Sequence, residues 1–264
     1  MNLANAIPNE WVKRSIKLAN SENYLDRLHE VYPVTIGVKR AVPDEIKQKI
    51  QQAYNRKNGL ELLKTLLKLD KFPIKDPYVA FLRKKNVFLE LNPMTVNRIA
   101  NTLLSMSYDE IIEGCEEPKE FNRQIGTLFR NWLPKLGYPM SSKETFIRRE
   151  GIVIFSGSDS EKMEFANNVL GCNLDKAPDL IAKVGEKYIV GEAKFLTDFG
   201  GHQLAQFQDA LRLVKGKGGK AIRIAILDGV VWIKGKNKMY RTVSQLKEIA
   251  LSALLLKDFL ESLR

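Results

Sequence analysis

The chain has 264 residues, 44% hydrophobic and 28% charged, which is typical of a globular protein and excludes wholesale disorder. Lysine and arginine outnumber aspartate and glutamate by 42 to 31, a net charge of +11. Two cysteines exclude a disulfide framework or a four-cysteine zinc site, and since no apolar run approaches a membrane span or a secretory signal, we expect a cytoplasmic protein.

The first 115 residues read as a helical N-terminal region, in which only Val34–Lys39 has the pattern of a strand. Prolines in this region stand at element starts or in connections, where the missing N–H costs little. The predicted helices are Asn9–Asn20, Glu22–Tyr32, Asp44–Arg56, Gly59–Leu69, Asp76–Lys85, Met94–Met106 and Tyr108–Gly114.

In residues 116–264, segments with the 3.6-residue periodicity of helices alternate with short apolar runs typical of strands. This order predicts an α/β (α+β) core, a mixed central sheet flanked by helices. A capping box, Ser158 to Glu161, marks one helix start. The predicted helices are Pro118–Leu133, Ser158–Gly171, Gly201–Val214 and Val243–Leu263. The predicted strands are Gly151–Phe155, Leu180–Val184, Tyr188–Phe195, Ala221–Leu227 and Val230–Lys234.

The most informative pattern is Pro178-Asp179, then twelve intervening residues, then Glu192-Ala193-Lys194. A hairpin of the two surrounding strands brings the start of the first beside the end of the second. Glu192 and Lys194 are two apart and share one face of their strand. We therefore expect Asp179, Glu192 and Lys194 to converge at a sheet edge.

Two carboxylates a few ångströms apart suit Mg²⁺, a hard cation that takes oxygen ligands and keeps several waters. Such a metal activates a bound water and neutralises charge on a phosphate oxygen. The Lys194 ammonium would orient or deprotonate the attacking water and stabilise the developing charge, and the Ala193 carbonyl would add a ligand. An ordinary cross-strand salt bridge explains the same residues without catalysis.

This pattern resembles the motif of the PD-(D/E)XK nuclease superfamily. Residues 191–210, GEAKFLTDFGGHQLAQFQDA, resemble type II restriction endonucleases in particular, as does the lead-in GSD…FANNVLG…PDLIA. The resemblance covers about residues 117–230. It implies that Asp179 and Glu192 bind Mg²⁺ and that Lys194 is the catalytic lysine. It does not account for the helical first 115 residues.

Family members often add an acidic residue from the helix before the sheet, and Glu117 and Glu120 are the candidates. Glu120 lines up with Gln124 one turn on, at the border of the buried face, and is our choice as a further metal ligand. A solvated acid in the first helical turn is the alternative.

The helix after the catalytic lysine carries Gln203 and Gln206, three residues apart and following His202. Their spacing predicts a polar strip on one side of the helix. Glutamine side chains on such a strip would contact phosphates or adenine edges. The solvent side of an amphipathic helix has the same pattern.

The net positive charge favours binding to nucleic acid or to an anionic membrane surface. The alternative explanation is a lysine-rich surface that provides solubility or heat tolerance and binds no partner. Nine basic residues and one acid, Asp228, stand between Arg212 and Arg241. Because this segment follows the predicted metal site, we favour DNA contact there. Its two loops carry the candidate DNA-binding lysines Lys215, Lys217, Lys220, Lys234, Lys236 and Lys238.

Together these patterns predict a Mg²⁺-dependent endonuclease of double-stranded DNA, without a membrane partner. The loop KGKGGK lacks the Gly-Lys-Ser/Thr ending of a phosphate cradle, so we expect no nucleotide cofactor. A homodimer would match a palindromic target. Another PD-(D/E)XK nuclease, acting in repair, junction resolution or transposition, and a non-catalytic DNA-binding module are the alternatives.

Overall fold

The computed structural model describes residues 8–33, 39–118 and 124–264. The chain divides into two compact units, which we call the core unit, Met1–Val34 with Phe121–Arg264, and the helical unit, Thr35–Glu120. None of the helices in the described ranges has the length and apolarity that a membrane crossing requires.

Most of the predicted helices are present in the described chain, although several are shorter than predicted, and the helices at Val87–Leu91, Lys143–Arg148 and Lys238–Val243 lie where none was predicted. The strand predicted over Val34–Lys39 falls almost entirely outside the described residues, as does the start of the helix predicted from Pro118. The α-helices are α1 Pro8–Ala19, α2 Tyr24–Val31, α3 Asp44–Asn55, α4 Gly59–Leu66, α5 Val79–Leu82, α6 Val87–Leu91, α7 Pro93–Ser105, α8 Tyr108–Glu116, α9 Ile125–Trp132, α10 Lys143–Arg148, α11 Asp159–Glu164, α12 Gly201–Lys215, α13 Lys238–Val243 and α14 Leu256–Glu261.

A mixed sheet forms the centre of the core unit, which confirms the predicted fold class. Its strands follow the chain order β1-β2-β3-β4-β5-β6. The pairs β2–β3 and β3–β4 are antiparallel, and the other neighbours are parallel. The strands are β1 Met140–Ser141, β2 Ile152–Phe155, β3 Leu180–Val184, β4 Lys187–Leu196, β5 Ala221–Gly229 and β6 Ile249–Leu251.

The strands are buried on both faces because helices cover both sides of the sheet. Along β2, Ile152 and Ile154 pack into a cluster with α1, α2, α9 and α12. Val153 and Phe155 point the other way, into a cluster with Phe146 of α10. Period-two alternation therefore divides the apolar side chains of β2 between two cores.

The first two helices pack on the sheet rather than with the helical unit. Trp11, Leu28 and Val31 belong to the same apolar cluster as β5 and β6, and the Tyr24 and Tyr32 hydroxyls reach a buried carboxylate of β5. The compact units thus do not follow the division expected at residues 115 and 116. The apolar faces of α1 and α2 complete the core of the sheet. The local sequence of these helices does not indicate that they pack there.

The helical unit contains α3 to α8 around its own apolar cluster, which includes Leu62, Leu63, Ile99 and Leu103, each fully buried. Helices α4 and α7 approach closely at Gly59, where an added Cβ would stand 2.8 Å from the Ala100 Cβ. The absence of a side chain at this glycine permits the close packing.

Two predictions near the C-terminus are wrong. Val230–Lys234 is not a strand, because Val230–Trp232 forms a 3₁₀ turn after Gly229 and the Trp232 indole N–H donates back to the Leu227 carbonyl. The helix predicted over Val243–Leu263 contains β6, which pairs with β5. An apolar run of this kind suits a buried helix or a buried strand equally, and the strand partner decides.

Candidate active site

The hairpin of β3 and β4 brings Asp179 beside Glu192. Antiparallel pairing aligns Leu180 with Gly191, so Asp179, the residue before β3, lies opposite Glu192. The Ala193 backbone N–H donates a hydrogen bond of 2.9 Å to Asp179 Oδ2. The local register thus produces the approach of the two carboxylates that the sequence predicts.

Lys194 completes the group on the same face of the sheet. Its Nζ lies 2.6 Å from Glu192 Oε1, and the side chains of Lys194 and Glu192 are only 18% and 3% exposed. Alternation along β4 places Glu192 and Lys194 on the face of Val190, which belongs to the apolar cluster of Phe146. A hydrophobic layer therefore supports the charged group from one side.

The charges in this cluster shift one another's protonation. Burial raises the pKa of Asp179, and the nearby negative charge of Glu192 raises it further. The hydrogen bond from the Ala193 N–H and the charges of Lys194 and Lys176 lower it, but the net pKa is raised. Burial lowers the pKa of Lys194, but the charge and hydrogen bond of Glu192 outweigh this effect, and the net pKa is raised. The carboxylate pair thus favours an added positive charge.

One atom of the cluster lacks a partner. Glu192 Oε2 is buried and has no hydrogen bond among the described residues, although a buried carboxylate oxygen normally requires one. In the described part of the chain, no group of three or more His, Cys, Asp or Glu side chains could hold a metal ion. Two carboxylates with an unpartnered oxygen nevertheless fit Mg²⁺, which is often bound through one or two carboxylates and several waters.

Three further residues border the site, and none of them is among the residues predicted from the sequence. Lys176 Nζ forms an ion pair with Glu192 Oε1. Gly126 of α9 lies where an added Cβ would stand 3.2 Å from Asp179 Oδ1. Lys162 of α11 is buried; burial and then Arg130 lower its pKa, while the charges of Asp159 and, less strongly, Asp179 oppose them. The Lys-Ala-Pro-Asp spacing was the available signal for Lys176.

The predicted polar strip on α12 is divided by the structure. Gln203 is 2% exposed, and its Oε1 accepts a hydrogen bond of 3.3 Å from the Thr197 N–H. Gln206 instead lies toward solvent, 3.0 Å from the His202 ring nitrogen. Gln203 is four residues before Phe207 and shares its buried stripe, so the two glutamines do not form one surface.

The two lysine loops lie at opposite ends of β5. All six predicted DNA-contact lysines are exposed, but residues 215–220 precede Ala221 and residues 234–238 follow Gly229. Eight residue steps of ~3.3 Å separate these strand ends by about 26 Å. The first loop borders a cleft that also contains Lys176. Glu120, the candidate extra metal ligand, lies outside the described residues.

Comparison with known protein families identifies a match over nearly the whole chain. A family model described as Tsp45I type II restriction enzyme matches residues 9–263, which span both compact units. It confirms the resemblance to type II restriction endonucleases and extends it over the helical unit. Neither the curated proteins nor the solved structures contain a match.

Proposed function

The chain belongs to the Tsp45I type II restriction enzyme family, and on this premise we propose that it is a Mg²⁺-dependent endonuclease that cuts double-stranded DNA at a specific short sequence. One observation carries the proposal beyond the family. The paired carboxylates of Asp179 and Glu192 include one buried oxygen, Glu192 Oε2, without a hydrogen-bond partner among the described residues, while the other oxygen of the same carboxylate is paired with the Lys194 ammonium.

In the proposed site, Asp179, Glu192 and the Ala193 carbonyl hold the metal. Mg²⁺, when bound, supplies Lewis-acid activation of water and of the phosphate. The hydrogen bond from the Ala193 N–H holds the Asp179 carboxylate in place. Lys194, anchored on the same strand face, directs its ammonium at the attacking water and at the developing phosphate charge.

The DNA itself would contact the exposed lysines. Lys217 lines the cleft that also contains Lys176 and, with Lys215 and Lys220 of the same loop, is a candidate for phosphate contacts. Gln206, Lys234, Lys236 and Lys238 would contact other parts of the duplex. The protein would act in the cytoplasm as a homodimer, since a palindromic target matches a two-fold protein.

The test is digestion of a phage DNA of known sequence with and without Mg²⁺, followed by sequencing of the fragment ends. We expect discrete fragments with one shared end sequence. Lys194→Ala should lower the cleavage rate by at least about 100-fold, the typical effect of removing one group that stabilises the transition state. Glu192→Gln should abolish cleavage, whereas Glu186→Gln, the same change in the exposed turn of the same hairpin, should not.

The other functions predict different results. Cleavage confined to branched DNA would indicate a structure-specific nuclease of the same superfamily. Unchanged cleavage by Lys194→Ala would refute the catalytic assignment of that residue. DNA binding without cleavage under any metal condition would indicate a non-catalytic module.

A further inference from the structure

Lys176 contacts the same carboxylate oxygen as the catalytic lysine. Both ammonium groups are ion-paired with Glu192 Oε1, while Glu192 Oε2 has no partner in the described chain. The two lysines differ in exposure, since the side chain of Lys176 is 47% exposed and that of Lys194 18%. Lys176 therefore approaches the buried carboxylate from the solvent side.

Hydrogen bonds anchor the backbone of the segment that precedes Lys176. The Asn167 side-chain amide bonds both the N–H and the carbonyl of Leu174, at 2.7 and 2.8 Å. The Arg223 guanidinium donates to the Cys172 carbonyl at 2.6 Å. These bonds hold the chain at Cys172 and Leu174, close to Lys176, whose ammonium is paired with Glu192.

Lys176 also lines a cleft of about 350 Å³ beside the site. Arg212 and Lys217 line the same cleft, together with Asp175 and Asp209. Arg212 and Lys217 are exposed. The Arg212 guanidinium lies 3.4 Å from the Asp209 carboxylate, but its side chain is still 67% exposed, so both cationic groups are accessible to an anion. A phosphate of the DNA backbone is the anion that the proposed function brings to this place.

Two positive groups and a metal ion cannot all neutralise one carboxylate without repulsion. A divalent cation between Asp179 and Glu192 would take up the negative charge that now holds Lys176. The half-exposed Lys176 has a flexible four-carbon stem and an open cleft beside it, whereas Lys194 is enclosed on the strand. Lys176 is thus the group that can leave.

We propose that Lys176 is a positioning residue that neutralises Glu192 in the metal-free protein, is displaced when a divalent cation binds, and then contacts a DNA phosphate in the adjacent cleft. This inference rests on the proposed function. It assigns Lys176 a role in the order of metal and DNA binding.

The first test measures Mn²⁺ binding to the full chain without DNA, by the electron paramagnetic resonance signal of the free ion; Mn²⁺ takes the same oxygen ligands as Mg²⁺. Lys176→Met should bind Mn²⁺ about fivefold more tightly than wild type, the equivalent of about 1 kcal/mol for a lost competing ion pair. Lys176→Arg should retain the wild-type affinity. Lys217→Met removes the same charge from the same cleft without a contact to the carboxylate, so its affinity should stay within about twofold.

The second test measures the affinity for a fluorescent duplex containing the cleavage site, by anisotropy, in a Lys194→Ala background. With Mn²⁺, Lys176→Met should weaken binding and reduce the slope of log affinity against log salt by about 0.9, the value for one phosphate contact. Without metal it should leave the affinity unchanged. Lys217→Met should weaken binding equally in both conditions.

The outcomes separate this inference from the function on which it rests. If Lys176→Met binds Mn²⁺ no more tightly than Lys217→Met, or weakens DNA binding equally with and without metal, the role of Lys176 is refuted. If Glu192→Gln binds Mn²⁺ as tightly as wild type, the proposed metal site is refuted and this inference with it.

Discussion

Asp228 on β5 makes a sharp prediction about stability because it is a fully buried carboxylate that no cation pairs with among the described residues. It accepts hydrogen bonds from Tyr32 at 3.1 Å, from Tyr24 at 3.3 Å and from the Ala253 N–H at 3.1 Å, and from the Ser252 hydroxyl. Burial raises the pKa of Asp228 to about 7, and these hydrogen bonds oppose the shift only in part.

The direction of the pH effect follows from proton linkage. Unfolded Asp228 loses its proton near its ordinary pKa of 3.8, whereas the folded carboxyl retains it to about pH 7. The folded state binds the extra proton between these values, so stability falls as the pH rises through this window. Each unit of pKa difference corresponds to about 1.4 kcal/mol of unfolding free energy. Ionisation of Asp228 therefore lowers the unfolding free energy by about 4 kcal/mol in total once the pH is above 7, and about 3 kcal/mol of this loss occurs above pH 5.

Asp228→Asn removes this dependence, since the amide cannot ionise. Its oxygen can accept from the Ala253 N–H and Tyr32, while its NH₂ donates to the hydroxyls of Ser252 and Tyr24, which also accept. We expect the difference in unfolding free energy between pH 5 and pH 8 to be about 3 kcal/mol smaller for the variant, and the variant to be the more stable protein at pH 8.

The assay is urea unfolding followed by tryptophan fluorescence. All three tryptophans, Trp11, Trp132 and Trp232, lie in the core unit, so the signal reports the unit that contains Asp228. Asp26→Asn, at an exposed position of the same unit, is the control and should follow the wild-type pH profile. Parallel profiles for Asp228→Asn and wild type would refute a buried carboxyl that titrates near neutral pH.

Three further substitutions test the fold and the site. Gly229→Ala should cost about 3 kcal/mol in urea unfolding, because Gly229 has φ +86 and its Cβ would stand 2.2 Å from the Leu196 carbonyl oxygen. Gly126→Val should lower Mn²⁺ affinity and cleavage about tenfold by displacing the Asp179 carboxylate, with little change in Tm. Ser158→Ala should cost about 1 kcal/mol in urea unfolding by removing the N-cap of α11.

Matched variants control these measurements. Gly201→Ala adds a Cβ with no neighbour within 4 Å and should leave stability unchanged. A Gly126→Val protein that loses Mn²⁺ affinity only in proportion to a fall in Tm would contradict the local explanation. Ser262→Ala, which removes a hydroxyl bonded to the Phe259 carbonyl but no N-cap, should cost less than Ser158→Ala.

Features that depend only on neighbours along the chain can be predicted from local sequence. A short turn and the alternation of side chains are local properties, so the approach of Asp179, Glu192 and Lys194 can be predicted without knowledge of the fold. The capping box of α11 is also local, and it forms between Ser158 and Glu161 as predicted. The family match confirms the nuclease resemblance that these residues carried.

Which distant segments complete the core and the site depends on contacts that local sequence does not encode. The apolar run at β6 is compatible with a helix or a strand, and its pairing with β5 makes it a strand. Gln203, predicted on a polar helix surface, is buried. Lys176 is paired with the buried Glu192, and Asp228 is itself fully buried, in both cases because segments distant in the sequence pack around them. Local pattern encodes periodicity and turns, whereas burial and charge pairing depend on contacts between residues far apart in the chain.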